Sequence, residues 1–331
     1  MPESATPYKW DDHYDFPRNL VGYGEKSHNP QWPNGAKIAV SFVINYEEGG
    51  ENTVLNGDPH SENSLWEAPG APPYMGERAV NIESEYDYGA RAGVWRLFRL
   101  FAKHQLKYTL YAVGRALELN PAVARYSASN GHDVASHAYR WIDYHTVSAE
   151  DEKAYIRQGI EAIKATSGVY PKGWYYGRLS PRSHALVWDV FREMKLPLLW
   201  ESDSYADDVP YWVDVPAEKD SADPQGMLMV PYSYDCNDYK FYVNTGFGAP
   251  MDFYDHIKGA FDVLYQEGCE GMPKMMTIGL HCRAAGKPAR FAALQKFVEY
   301  ITSKEGVWVA TRTEIAEHFR AKFPYRRGQL A

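Results

Sequence analysis

The sequence predicts an α/β fold in which about seven to eight parallel strands close into a barrel with helices outside. Segments of strand character alternate about eight times with segments of helical apolar spacing, the pattern of parallel βαβ units. The stretch Ala36 to Asn45 is a near-continuous apolar run, the mark of a strand covered on both faces. The length, 331 residues, suits one such barrel.

Taken in order, residues 1–35 read as an irregular arm. Tyr8, Trp10, Tyr14, Phe16, Tyr23 and Trp32 are interleaved with Pro17, Pro30 and Pro33, which a long helix would not tolerate. The barrel is expected over 36–325, with no linker that divides it. Its first strand ends near Asn45. Val94, Leu97, Phe98 and Phe101 share one helical face over 88–103. Tyr108 to Val113 reads as the next strand, and Asn120-Pro121 as a helix start, N-cap then first turn. A short strand over Asp133 to His137 follows. Ser148 with Asp151 forms a capping box for a helix to about Thr166. Gly173 to Tyr176 reads as a strand and Ser180-Pro181 as the start of a helix reaching Met194. Later strands are expected at 198–201, 228–230, 275–281 and 307–309, with helices over 251–267, 289–304 and 313–322.

Composition narrows the function. The net charge of −8 and the absence of a basic run argue against nucleic acid. No apolar stretch is long enough to span a bilayer, and the N-terminus has no apolar signal core. Cys236, Cys269 and Cys282 are odd in number and lack CxxC spacing, so neither a disulfide scaffold nor a cysteine-rich zinc site is expected. These features predict a cytoplasmic protein with no membrane partner. The 26 tyrosines suit cavity walls that are apolar but carry a hydrogen-bonding tip.

Four polar clusters directly follow predicted strands: Asn45-Tyr46-Glu47-Glu48-Gly49-Gly50-Glu51, Ser136-His137-Ala138-Tyr139-Arg140-Trp141, Gly177-Arg178 with Asp203 behind it, and His281-Cys282-Arg283. In a (β/α) barrel such positions converge on one pocket. A carboxylate or histidine there would act as general base toward water, while arginine and histidine would stabilise an oxyanion. No G-x-S-x-G elbow supports a serine nucleophile, and no phosphate loop is present. Cys282 beside His281 does not make a Cys–His pair, because adjacent strand residues point to opposite faces. A buried structural histidine is the alternative reading of His137, and a solvated loop carboxylate that of Glu48.

These clusters, with Asn19-Leu20-Val21-Gly22-Tyr23-Gly24 and Gly279-Leu280-His281-Cys282-Arg283, resemble the polysaccharide deacetylase (NodB-like) superfamily, and within it the metal-independent allantoinases. The resemblance runs from about Arg18 to Phe323. It implies a deformed (β/α) barrel and hydrolysis of a carbon–nitrogen bond. Deacetylases carry T-F-D-D-G after the first strand, one Asp as base and the next as metal ligand. Asn45-Tyr46-Glu47-Glu48-Gly49 stands in its place, so Glu47 would be base and Glu48 ligand; a D-x-D register would instead use Asn45 and Glu47. Deacetylases also bind metal through His-x-x-x-His, but Trp141 stands four residues after His137. Indole has no lone pair for a metal, and His137 with one carboxylate makes two ligands where a catalytic zinc needs three. No metal or cofactor is therefore expected.

The resulting expectation is a hydrolase that opens the hydantoin ring of allantoin to allantoate. Glu47 or Glu48 would activate water and His281 would protonate the leaving nitrogen. His137, Tyr139, Arg140, Trp141, Arg178, Asp203 and Arg283 would line the substrate site, with Trp141 as a wall against a flat ring. The resemblance also implies a homotetramer. The alternatives are hydrolysis of another cyclic imide, metal-dependent N-deacetylation of chitin or peptidoglycan sugars, and a barrel that binds a small molecule without turnover.

Overall fold

The computed structural model describes residues 8–331; the part of the arm over 1–7 lies outside the described residues. The strands are β1 (Ile38–Tyr46), β2 (Thr109–Ala112), β3 (Asp133–Ser136), β4 (Gly173–Trp174), β5 (Trp200–Glu201), β6 (Tyr211–Val213), β7 (Met227–Met229), β8 (Lys274–His281) and β9 (Val307–Val309). They form one sheet in the order β6-β7-β5-β4-β3-β2-β1-β8, all parallel except the β6–β7 pair. One side of β1 is shared: β9 pairs with Ile38 to Val40, and β2 with Val43 to Tyr46. The other side pairs along its length with β8.

The sheet curls until β8 faces the chain leaving β7. No regular ladder closes that gap. Instead the segment after β7 runs beside β8, where Gly279 N–H donates to the Cys236 carbonyl (2.9 Å) and Thr277 Oγ1 to that of Pro231 (3.1 Å). The barrel is deformed at this seam.

Strand alternation sorts the side chains. Ile38, Val40, Phe42, Ile44 and Tyr46 of β1 pack outward against the helices, whereas Ala39 and Val43 face the barrel interior with Tyr111, Ala135, Trp200 and Met275. The interior is filled near its base by Arg312, fully buried, which donates to Ser202 Oγ (2.9 and 2.7 Å), Thr277 Oγ1 (2.9 Å) and the Pro231 carbonyl (2.7 Å).

Outside lie α1 (Val80–Tyr88), α2 (Val94–His104), α3 (Gly114–Leu119), α4 (Pro121–Ser129), α5 (Ala149–Ser167), α6 (Ser183–Glu193), α7 (Pro250–Cys269), α8 (Pro288–Thr302) and α9 (Arg312–Lys322). The helix expected over 88–103 is interrupted by a π-helical turn, Gly89–Gly93. Its glycines permit close approach: a β-carbon at Gly89 would run into the Glu48 side chain, and one at Gly93 into the Cys282 carbonyl. α6 starts at Ser183 rather than Ser180, because both hydroxyls donate to the buried Glu152 (2.8 and 2.5 Å) and hold a turn there. β4 ends at Trp174 rather than Tyr176, since Asp203 takes the Tyr176 and Gly177 amides (2.6 and 2.7 Å). The short elements α1, α3 and β6 lack the periodicity that would betray them. Among the described residues no helix is long and apolar enough to cross a membrane.

Candidate active site

A cavity of about 200 Å³ opens at the C-terminal ends of the strands, lined among others by Asn45, Glu47, His137, Trp141, Tyr175, Arg178, Tyr232 and His281. The alternation of β1 carries on past its end. Asn45 and Glu47 follow Val43 into the interior, while Glu48 follows Tyr46 outward, away from the cavity lining and against Gly89. The same rule brings His137 in after Ala135, and it sends Cys282 out beside Leu280.

Glu47 is the hub. It is 1% exposed. Its Oε1 lies 3.2 Å from His137 Nε2 and 3.4 Å from His281 Nε2, and its Oε2 accepts from Arg283 (2.8 Å). Burial works against its charge, but Arg283, then His281, then the hydrogen bond from His137 outweigh it and hold the carboxyl well below the usual range. An ionised carboxylate only accepts, so each facing imidazole nitrogen must carry its proton.

His281 is sandwiched between carboxylates. Its Nδ1 lies 2.6 Å from Asp238 Oδ1, and Asp238 Oδ2 also accepts from the His281 and Ala285 amides (2.8 and 2.9 Å). Burial opposes its charge, but Glu47 and Asp238 prevail and raise it to about 9. It is an imidazolium at neutral pH. Asp238 escaped the sequence reading: it opens a 3-10 turn, Asp238–Tyr242, that no strand precedes. Asn237 seats that turn on β8 because Gly279 offers no side chain to block it.

The other expected residues separate into two groups. Trp141 and Arg178 line the cavity, the guanidinium stacked 3.6 Å from the indole centroid and its Nη1 bound to Glu62 (3.2 Å). Arg178 does not touch Glu47. Arg283, expected to line the substrate site, is instead fully buried and absent from the cavity lining, and it holds Glu47 from behind. It is stacked 4.0 Å over Tyr86 and also donates to the Leu65 carbonyl (3.0 Å). Four more residues point elsewhere than expected. Glu48 is buried behind the cavity, where burial and the nearby Glu47 raise it to about 7 against the pull of Arg283. Tyr139 reaches out to Glu118 (3.2 Å). Arg140 clamps the loop after β1 by donating to the Gly50 and Glu51 carbonyls (3.2 and 3.0 Å) and pairing with Asp58. Asp203 holds the backbone after β4 and does not line the cavity.

The metal that deacetylases carry does not fit these residues. Trp141 has no lone pair, and both Glu47 oxygens are engaged by cationic or N–H donors. Among the described residues, the group of three metal-capable side chains with atoms within 4.8 Å of one another is Asp235, Cys236 and His256, outside this cavity.

Comparison with known proteins identifies the family and the fold. The polysaccharide deacetylase family model matches residues 78–197. A Schizosaccharomyces pombe protein, provisionally named a polysaccharide deacetylase, is 49% identical over 316 residues, 93% of this chain and 98% of its own. The Helicobacter pylori peptidoglycan deacetylase is 22% identical over 282 residues, 77% of this chain and 92% of its own. The crystal structure of PuuE allantoinase superposes with a TM-score of 0.88 at 45% identity, covering 94% of this chain and all (100%) of its own. A Pseudomonas aeruginosa protein, provisionally a polysaccharide deacetylase, superposes with a TM-score of 0.87 at 43% identity over 94% of this chain and 100% of its own.

Proposed function

Since the chain belongs to the polysaccharide deacetylase family, as a hydrolase of carbon–nitrogen bonds other than peptide bonds, we propose that it opens the hydantoin ring of allantoin to allantoate without a catalytic metal. The observation that carries this reading is the Glu47–His281 pair, set in its charged state by Arg283 and Asp238.

Water held by Glu47 attacks the ring carbonyl. Glu47 takes the proton that the water releases, and His281 Nε2 gives its proton to the departing ring nitrogen. The two transfers help each other. As His281 loses its charge, one of the influences that held Glu47 acidic is removed while that of Arg283 remains, so the carboxylate becomes a better base when it is needed; the pair acts as one coupled unit. The proton then passes from Glu47 back to His281. Arg283 contributes fixed positive charge beside Glu47. Trp141, with Arg178 stacked on it, forms a wall for a flat ring, and the small cavity favours a compact ureide over several sugar residues.

The test is conversion of allantoin to allantoate by chelator-treated protein, with and without added zinc. Turnover that survives chelation supports the proposal. Turnover only with zinc overturns its metal-free step, and deacetylation of N-acetylhexosamine oligomers in place of allantoin overturns its substrate.

A further inference from the structure

We propose that Asp235, Cys236 and His256 form a second, non-catalytic site for a zinc-like divalent ion, which staples the segment carrying Asp238 onto α7. One ligand atom from each side chain lies within 4.8 Å of the other two. His256 Nε2 is 3.1 Å from Asp235 Oδ1; Asp235 is exposed, His256 half-buried and Cys236 buried. An imidazole, a carboxylate and a thiol that converge in this way present three ligand atoms to one cation. Carboxylate, imidazole and thiolate together suit zinc or cobalt rather than magnesium or calcium. Three protein ligands leave a fourth position open to a cavity of about 810 Å³, on the far side of Tyr232 and Tyr234 from the reaction cavity.

The ligands sit on anchored backbone. Cys236 N–H donates to Ser233 Oγ (3.0 Å) and its carbonyl accepts from Gly279 of β8, while His256 lies on α7. Lys240 Nζ, 2.8 Å from Asp235 Oδ1, places a positive charge there now, which an incoming ion would displace. Asp238 follows Cys236 by two residues, so a bound ion would tie the turn that orients His281 to a twenty-residue helix. Its contribution is to stability and positioning, not to the chemistry at Glu47.

Cobalt titration of the full chain tests the site. Binding of one cobalt per chain is expected, with a thiolate-to-cobalt charge-transfer band in the near ultraviolet. That band should vanish in Cys236→Ser and persist in Cys269→Ser. Because Cys236 is buried and its replacement could unfold the chain, His256→Ala is the second variant. It should weaken cobalt binding by at least about tenfold, lose the zinc-dependent rise in Tm seen for the unmodified protein, and keep its turnover. Absence of stoichiometric binding, or a band that survives Cys236→Ser, overturns the proposal. Neither result depends on whether allantoin is the substrate.

Discussion

Both oxygens of Glu47 are engaged before any substrate arrives, so the residue cannot be altered without disturbing its partners. Glu47→Gln is expected to lower kcat by about 10³-fold. It also removes the nearer of the two carboxylates that face buried Arg283, leaving Glu48 at 3.5 Å, at a cost on the order of 3 kcal/mol, which thermal melting would register. Asp238→Asn separates the roles. The competent state needs Glu47 ionised and His281 protonated, so kcat/KM should stay level across neutral pH and fall as pH rises past about 9. Removing the Asp238 charge should move that alkaline limb downward and reduce kcat, while KM changes little. Trp141→His tests the metal argument. It restores the His-x-x-x-His spacing, but with Glu47 held by Arg283 and His281 and Glu48 turned outward a third ligand is still lacking. Zinc is therefore expected to stay absent from the reaction cavity, and its appearance there would show that the engaged Glu47 can be recruited as a ligand.

At the scale of single elements, the alternation of β1 already contained the choice between Glu47 and Glu48. Ala39, Val43 and Glu47 lie an even number of residues apart, so they share the interior face; Glu48 had to point outward. That much was legible, as were most strands and the long helices, because apolar period reports burial. The directions of Tyr139, Arg140 and Asp203 were not, since the chain leaves strand geometry after His137 and Glu201. Ala138 takes a left-handed φ of 62°, which breaks the alternation. Asp238 was hidden for a different reason: it reaches the site along an irregular segment at the seam, where neither period applies. The π turn is a further element with a testable role. Gly93→Ala drives a β-carbon into the Cys282 carbonyl, next to Arg283. A loss of about 1–3 kcal/mol from overpacking is expected, read as a lower Tm, together with reduced kcat as Arg283 shifts from Glu47.

For the molecule as a whole, the same ion pair links charge to stability. Glu47 is held below its ordinary value of 4.5, so its contribution is present above that pH and is lost on acidification. His281 is raised from 6.5 to about 9, so its contribution is full below 6.5 and disappears as pH climbs through 9. The pair therefore stabilises the fold most between pH 4.5 and 6.5. Tm should decline above that window while activity persists to about 9; melting curves of the unmodified protein and His281→Asn across this range would show the difference.

The shared edge of β1 sets an order of events. The strands that flank this one along its first half, β8 and β9, are synthesised long after it. Until they arrive, the nascent chain carries an apolar strand with open edges, a template for pairing with another copy. The barrel cannot close until β8 and β9 are made, and translation that stops short of β8 releases a chain with β1 unguarded.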